Sequence, residues 1–335
     1  MEKKKDEVEQ NEEYKEKKKQ KGKQKEKRIL NEKDKGKKDK GKKIEKVTDE
    51  VEMPLIECEP SEFSKATEVE SKVASWIFSF EGDKSDVVFE TKDGFQSMRF
   101  MMESLIPECE TFYNVIDTWA MLLNFEERMK SEDCPRRFFA QQKSLHGQIQ
   151  DLEKFELVFF PVVSVVHYLL ICFNLKEGRI QIFDNSDVDV PLSAKYGSIP
   201  IVVQKVFVTV LKQLNDGRFK KLNKAKPKRE KMSWRTLGNH VDCAVFMMRH
   251  METYMGQSMK DWDCGLADEG KTQKSQLVNL RHKYVGKMLL SDLNVKKNLV
   301  LEGMHKFAEY PEQKQKEILD YAKTMVHNRF NEFAN

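Results

Sequence analysis

Residues 157–175 read LVFFPVVSVVHYLLICFNL, with no acidic or basic residue among them except His167. A run this long and apolar raises the question of a membrane span. Pro161, Ser164, His167 and Asn174 interrupt it, β-branched residues crowd it, and the chain has no second such segment. It therefore reads as two interior strands, 157–163 and 167–175, apolar on both faces because both faces are covered. Lys176-Glu177-Gly178 then supplies a tight turn, with glycine where a left-handed residue is wanted, and 179–183 returns as a third strand.

Working outward, Val87 to Thr91 reads as a strand ended by Lys92-Asp93-Gly94. Residues 112–125 read as a helix whose Val115, Ile116, Trp119, Leu122 and Leu123 form one apolar stripe. Downstream, 201–214 is a predicted helix, and a basic loop runs from Arg218 through Lys228-Arg229 to Lys231. That loop can be a solvated lysine-rich connection, a nucleic-acid contact, or a face for an acidic partner surface. Residues 242–255 are apolar almost all round, as in a buried helix, and Gly256 closes it. Further helices are expected near 276–290 and 313–333.

Composition separates this body from a tail. The 335 residues carry 59 Lys+Arg against 55 Asp+Glu, but residues 1–50 alone hold 20 basic and 14 acidic residues. Residues 1 to about 46 contain only one apolar pair, Ile29-Leu30, too little to repay the entropy of ordering. Lysine clusters at 17–23 and 35–38 are of the kind read by nuclear import receptors or attracted to polyanions. Pro54 and Pro60 break regular structure beyond the arm, leaving Trp76-Ile77-Phe78 as an isolated apolar patch. The expected organisation is a disordered basic arm and linker over 1–83, a catalytic-type domain over 84–297, and a helical extension over 298–335. Six cysteines at 58, 109, 134, 172, 243 and 264 are too few and too scattered for a disulfide scaffold.

The hairpin turn near Gly178 brings the start of one strand and the end of the next to the same sheet edge. His167 opens the first and Asp184 follows the second, so they are neighbours to within about two residues of register. An imidazole there can donate one N–H to the carboxylate and keep its other nitrogen for base chemistry. Cys243 stands at the start of the buried helix, where unpaired N–H groups and the helix dipole favour a thiolate. Singly, a buried histidine, a polar Asp184-Asn185-Ser186-Asp187 turn and a small buried cysteine are ordinary structural residues; the combination is what points to nucleophilic catalysis. His240, Cys243, His250 and Cys264 match no common zinc spacing, and a glycine-rich phosphate loop is absent.

Several of these stretches closely resemble the ubiquitin-like-protein (SUMO) specific cysteine proteases of the Ulp/SENP type. The resemblance is carried by Phe159-Phe160-Pro161-Val162, His167-Tyr168-Leu169-Leu170, Ile182-Phe183-Asp184-Asn185-Ser186 and Asn239-His240-Val241-Asp242-Cys243-Ala244-Val245-Phe246. Met101 to Leu105, Val115 to Trp119 with Leu123-Asn124, and Leu280 to Tyr284 are similar to the plant subfamily, many of whose members derive from transposable elements. The resemblance implies a papain-like α+β fold with a central mixed sheet and a nucleophile-bearing buried helix. It further implies Cys243 as nucleophile, His167 as general base and Asp184 as the acid that orients it. The reaction implied is hydrolysis after the C-terminal Gly-Gly of a ubiquitin-like modifier, with no metal or organic cofactor and no membrane. A monomer acting in the nucleus or nucleo-cytoplasm is expected, with an additional nucleic-acid or acidic-surface contact through the Lys-rich arm.

The chain also departs from the family pattern. Where the family has the Gln that helps hold the oxyanion, this chain has Leu237, which donates no hydrogen bond. Loss of one such donor typically costs about 3–4 kcal/mol of transition-state stabilisation. Asn239 or a backbone N–H is the candidate replacement. Ala244 stands where Gly is usual, and Tyr168 where the family places the Trp that walls the Gly-Gly channel. Phe112 is a second candidate for that channel. The alternative reading is a modifier-binding module with a degenerate oxyanion site.

Overall fold

The fold was analysed in a computed structural model, which describes residues 63–131, 134–141, 152–164 and 167–333. The basic arm expected over residues 1–46 lies outside the described residues. Among the described residues the first elements are helix α1 (Glu68–Phe78), the ribbon β1 (Val87–Glu90) and β2 (Gln96–Met98), then α2 (Arg99–Glu103), α3 (Tyr113–Glu127) and β3 (Arg137–Phe139). The central strands are β4 (Leu157–Ser164), β5 (His167–Asn174) and β6 (Arg179–Phe183), followed by α4 (Leu192–Tyr196), α5 (Ile199–Gln213), α6 (Phe219–Leu222) and β7 (Lys228–Arg229). Four helices complete the chain: α7 (Cys243–Thr253), α8 (Lys271–Leu290), α9 (Lys297–Ala308) and α10 (Glu312–Phe333).

Strands β3 to β7 form one mixed sheet in sequence order. The β4–β5 and β5–β6 pairs are antiparallel, while β3 and β7 lie parallel to β4 and β6 at the two edges. The long apolar stretch is thus a hairpin of two strands, as its sequence predicts. Side chains alternate between two cores. Leu157, Phe159, Leu170, Cys172 and Phe183 face the core built with α1, α3, α7, α8 and α9. Val158, Phe160, Leu169, Ile171, Phe173, Ile180 and Ile182 face the core closed by α5 and α6. A sheet covered on both sides explains why these strands are apolar at consecutive positions. The turn into β6 uses Gly178 at φ 74°, a left-handed conformation that a Cβ would strain.

Helix α7 is buried along nearly its whole length, and arginines from distant segments hold both of its ends. At the C-terminal end, the buried Arg137 Nη1 donates to the carbonyls of Met251 (2.8 Å), Glu252 (3.1 Å) and Tyr254 (3.2 Å). Those oxygens lack intrahelical partners, so a cation there meets both their hydrogen-bonding need and the helix dipole.

The body extends beyond residues 84–297 on both sides. Residues 68–78, which fall within the predicted linker, form a helix whose Val73, Ala74, Trp76, Ile77 and Phe78 are buried. Both prolines that suggested a linker precede this helix, and Thr67 with Glu70 forms a reciprocal capping box at its start. Helix α9 contributes Val300, Met304 and Phe307 to the same core. The crossing of α1 and α9 is close: a Cβ on Gly303 would clash with the Trp76 ring. Among the described residues, no helix is long and apolar enough to cross a membrane. Cys109, Cys172, Cys243 and Cys264 are free thiols, whereas Cys134 is disulfide-bonded, a bond that the scattered cysteines did not predict.

Candidate active site

His167 begins β5, and Asp184 is the first residue after β6. The last β5–β6 pair is Leu170 with Phe183, so Asp184 lies diagonally across from His167 at the sheet edge. The diagonal is short enough for a direct bond, with Nε2 of His167 2.7 Å from Oδ1 of Asp184. The imidazole also interacts with the Cys243 thiol, which leaves Nδ1 as the nitrogen on the cysteine side. Cys243 is the first residue of α7, and its thiol donates to the His240 carbonyl at 3.2 Å. The three sequence-predicted residues are therefore brought together, with the imidazole between carboxylate and thiol.

Burial opposes charge on His167, yet its hydrogen bonds and charge interactions with Asp184 and Cys243 win, and its pKa is raised to about 9. Asp184 moves the other way. Its carboxylate is fully buried, which alone would raise its pKa, but bonds from His167, Tyr196 and Lys195 hold it well below the usual carboxylate range. Lys195 Nζ stands 2.9 Å from Oδ2 and Arg229 Nε 3.7 Å from it. The Tyr196 hydroxyl donates to the same oxygen, and the Ser186 amide donates to Oδ1 at 2.8 Å. Sequence reading missed Tyr196, Lys195 and Arg229. They lie 11 to 45 residues beyond Asp184, two on α4 and one on β7, and no periodicity links them to it.

The loop before Cys243 is organised differently. Leu237 is 62% exposed, and its side chain offers the site nothing. Its amide and that of Gly238 donate to the two oxygens of Glu269, at 2.9 and 3.0 Å. The Asn239 side chain is held against Asp242. Its Nδ2 donates to Oδ2 of Asp242 at 2.7 Å, and its Oδ1 accepts from the Asp242 amide at 3.1 Å. Asp242 in turn receives Arg281, whose Nε lies 2.8 Å from Oδ1. The same buried guanidinium donates to the carbonyls of Ile106 (3.0 Å), Cys109 (2.8 Å) and Val241 (3.0 Å). With its carboxylate so occupied, Asp242 makes no side-chain cap on α7. The N–H groups of the first turn, from Cys243 to Val245, have no intrahelical acceptor and remain the donors beside the thiol.

Tyr168 and Phe112 come together through a shared segment. The Tyr168 hydroxyl donates to the Thr111 carbonyl, and the Phe112 ring packs edge-on against Phe100 at 5.6 Å. Burial raises the pKa of Tyr168, with smaller contributions from Glu110 and Cys243, so its phenol is neutral near the thiol. His250 belongs to the core. Trp234 Nε1 donates to its Nε2 at 3.0 Å, and burial lowers its pKa to about 3. Among the described residues, no group of three or more His, Cys, Asp or Glu side chains is arranged to hold a metal ion.

No protein-family model and no curated protein matches this sequence. Solved structures do. The C-terminal Ulp1 protease domain in complex with Smt3, the yeast ortholog of SUMO, superposes with a TM-score of 0.50 at 10% identity, covering 70% of this chain and all of that one. The Ulp1-like SUMO protease catalytic domain of Chaetomium thermophilum gives 0.44 at 14% identity, over 76% of this chain and 98% of its own. The first of these likenesses carries the fold: a mixed α+β architecture of the papain-like type seen in the Ulp1 protease domain.

Proposed function

We propose that this chain is a cysteine-type peptidase that cleaves after the C-terminal Gly-Gly of a SUMO-like modifier. The single observation that carries the reading is the His167 imidazole between Asp184, at 2.7 Å, and the thiol at the start of a buried helix. In the proposed cycle Cys243 acts as a thiolate beside the His167 imidazolium. The sulfur attacks the carbonyl carbon of the terminal glycine, forming a C–S bond. As the C–N bond breaks, His167 gives its proton to the leaving amine. Water then attacks the thioester carbonyl and gives a proton to His167, the C–S bond breaks to return the Cys243 thiolate, and the modifier leaves with a free carboxylate. Asp184 keeps the ring oriented and holds the imidazolium. The N–H groups of Cys243 and Ala244 are the proposed oxyanion donors, because Leu237 has no side-chain donor and the Asn239 side chain is held against Asp242. Tyr168 and Phe112 are proposed as walls of the Gly-Gly channel. The protease domain solved with Smt3 supports a SUMO-like partner. Membership of the plant subfamily rests on the flanking motifs alone, and a nuclear location on the lysine clusters of the arm.

A SUMO carrying a C-terminal electrophile tests the reading. A covalent adduct with the wild type and none with Cys243→Ala supports a peptidase. The exposed Leu237 and the engaged Asn239 favour a second reading, a modifier-binding module without turnover. On that reading both proteins bind the modifier equally and neither forms an adduct.

A further inference from the structure

Residues 218–231 hold eight basic residues and one acidic residue, and the fold sorts them by type. Both arginines turn inward. Arg218 donates to the carbonyls of Leu152 and Phe155, each at 2.8 Å, and pairs with Asp216. Arg229 donates to the carbonyls of Val188 and Ser186 and stands beside Asp184. Buried Gln204 fixes the stretch between them by donating to the carbonyls of Leu222 (2.7 Å) and Ala225 (2.8 Å). The only acidic side chain, Glu230, is buried and already engaged by Lys228 at 2.9 Å and Gln181 at 3.2 Å.

The lysines face out. Lys220, Lys221, Lys224, Lys226 and Lys231 are exposed, and none pairs with an acid among the described residues. From 224 to 229 exposure alternates, with Lys224, Lys226 and Lys228 outward and Ala225, Pro227 and Arg229 inward. This run leads into β7, an edge of the sheet. Lysine on an edge strand is a familiar guard against edge-to-edge pairing. Five uncompensated lysines on a pinned backbone, two of them on α6, are more than a two-residue edge strand needs.

We infer that this edge is a binding surface for the phosphate backbone of a nucleic acid, read without sequence preference. An acidic protein surface fits less well. Protein interfaces are depleted in lysine and centre on aromatic, methionine and arginine anchors. Here both arginines are spent internally, and no large apolar side chain between 218 and 231 is exposed. Flexible point charges at regular spacing on a rigid support suit phosphates, whose binding is driven by counterion release. The surface acts independently of the thiol, so Cys243→Ala binds as the wild type does.

The test compares three forms of the full chain: wild type, a variant with Lys220, Lys221, Lys224, Lys226 and Lys231 all changed to Gln, and a control with Lys260, Lys271, Lys306, Lys314 and Lys323 changed to Gln. The control removes the same charge elsewhere on the surface. Each is titrated into fluorescently labelled random-sequence duplex DNA and single-stranded RNA at several salt concentrations, after matching melting temperatures confirm folding. We expect the edge variant to lose at least 10-fold in affinity at low salt. Its slope of log K against log salt should shrink by about 0.9 for each duplex DNA phosphate that is no longer neutralised. The control should keep most of both. Equal losses in the two variants would reduce the effect to net charge and overturn the proposal, as would an edge variant that binds like the wild type. An edge variant that keeps nucleic-acid affinity but binds a SUMO-like modifier more weakly would instead assign the surface to an acidic protein.

Discussion

Asp184, bonded to His167, and Leu237, six residues before Cys243, are treated in opposite ways by the chain. Around Asp184, His167, Tyr196, Lys195, Arg229 and the Ser186 amide converge on one buried carboxylate. At Leu237 an aliphatic side chain points to solvent, and the loop is tied down through its backbone by Glu269. Orientation of the imidazole is thus secured several times over, whereas the Leu237 side chain offers no hydrogen-bond donor. Precision in one half of such a site does not require the other half to follow the same pattern. What both halves share is rigidity, supplied by buried ion pairs on one side and by the Asn239–Asp242–Arg281 network on the other.

The largest effect is expected at the well-supported half. Asp184→Asn should keep the fold but lower kcat by roughly 10⁴-fold on a SUMO-derived fluorogenic substrate, the loss seen when a triad carboxylate becomes an amide. Arg281→Gln should destabilise the protein by about 3–5 kcal/mol in urea unfolding, because it strands Asp242 and three buried carbonyls. Leu237→Gln should raise kcat by up to about 10²-fold if the loop admits the new amide. An unchanged rate would mean that the first-turn N–H groups already do this work. Tyr196→Phe removes one of several donors to Asp184 and should cost only about 1–2 kcal/mol of stability.

The smallest effect concerns pH. His167 has its pKa raised from 6.5 to about 9, so it binds a proton more tightly when folded. Its contribution to stability is complete below pH 6.5, declines as pH rises from there to about 9, and is gone above that. Asp184, with a depressed pKa, contributes stability above the ordinary aspartate range that is lost on acidification below it. Melting temperatures of wild type and His167→Gln should therefore converge as pH passes 9. Activity should fall over the same alkaline range as the imidazolium loses its proton.

The sheet was legible because its strands announce themselves twice, by apolar content and by a glycine at the one turn that needs a left-handed residue. His167, Asp184 and Cys243 were legible because hairpin geometry and a helix start are local facts. Helix α1 was readable in part: the Thr67–Glu70 capping box is a local signal, outweighed by two prolines that lie outside the helix. Arg229 could not be placed from sequence. In a run of basic residues nothing local tells which one turns inward, since the choice depends on a carboxylate 45 positions earlier. The engagement of Asn239 by Asp242 was equally hidden, because the partner is fixed by Arg281 from a different helix.

The clamp at the N-terminal end of α7 also bears on the order in which the protein folds. The bond from Arg281 to the Ile106 carbonyl closes a loop of 175 residues, and that from Arg137 to Met251 one of 114. Contacts of such sequence separation form late, after the entropy of closing the loops has been met. Local hairpin pairing can set the imidazole beside its carboxylate early, while the thiol reaches its place only when distant parts of the chain have docked. A nascent or partly unfolded chain therefore carries the His167–Asp184 pair before Cys243 has reached its place at the start of α7.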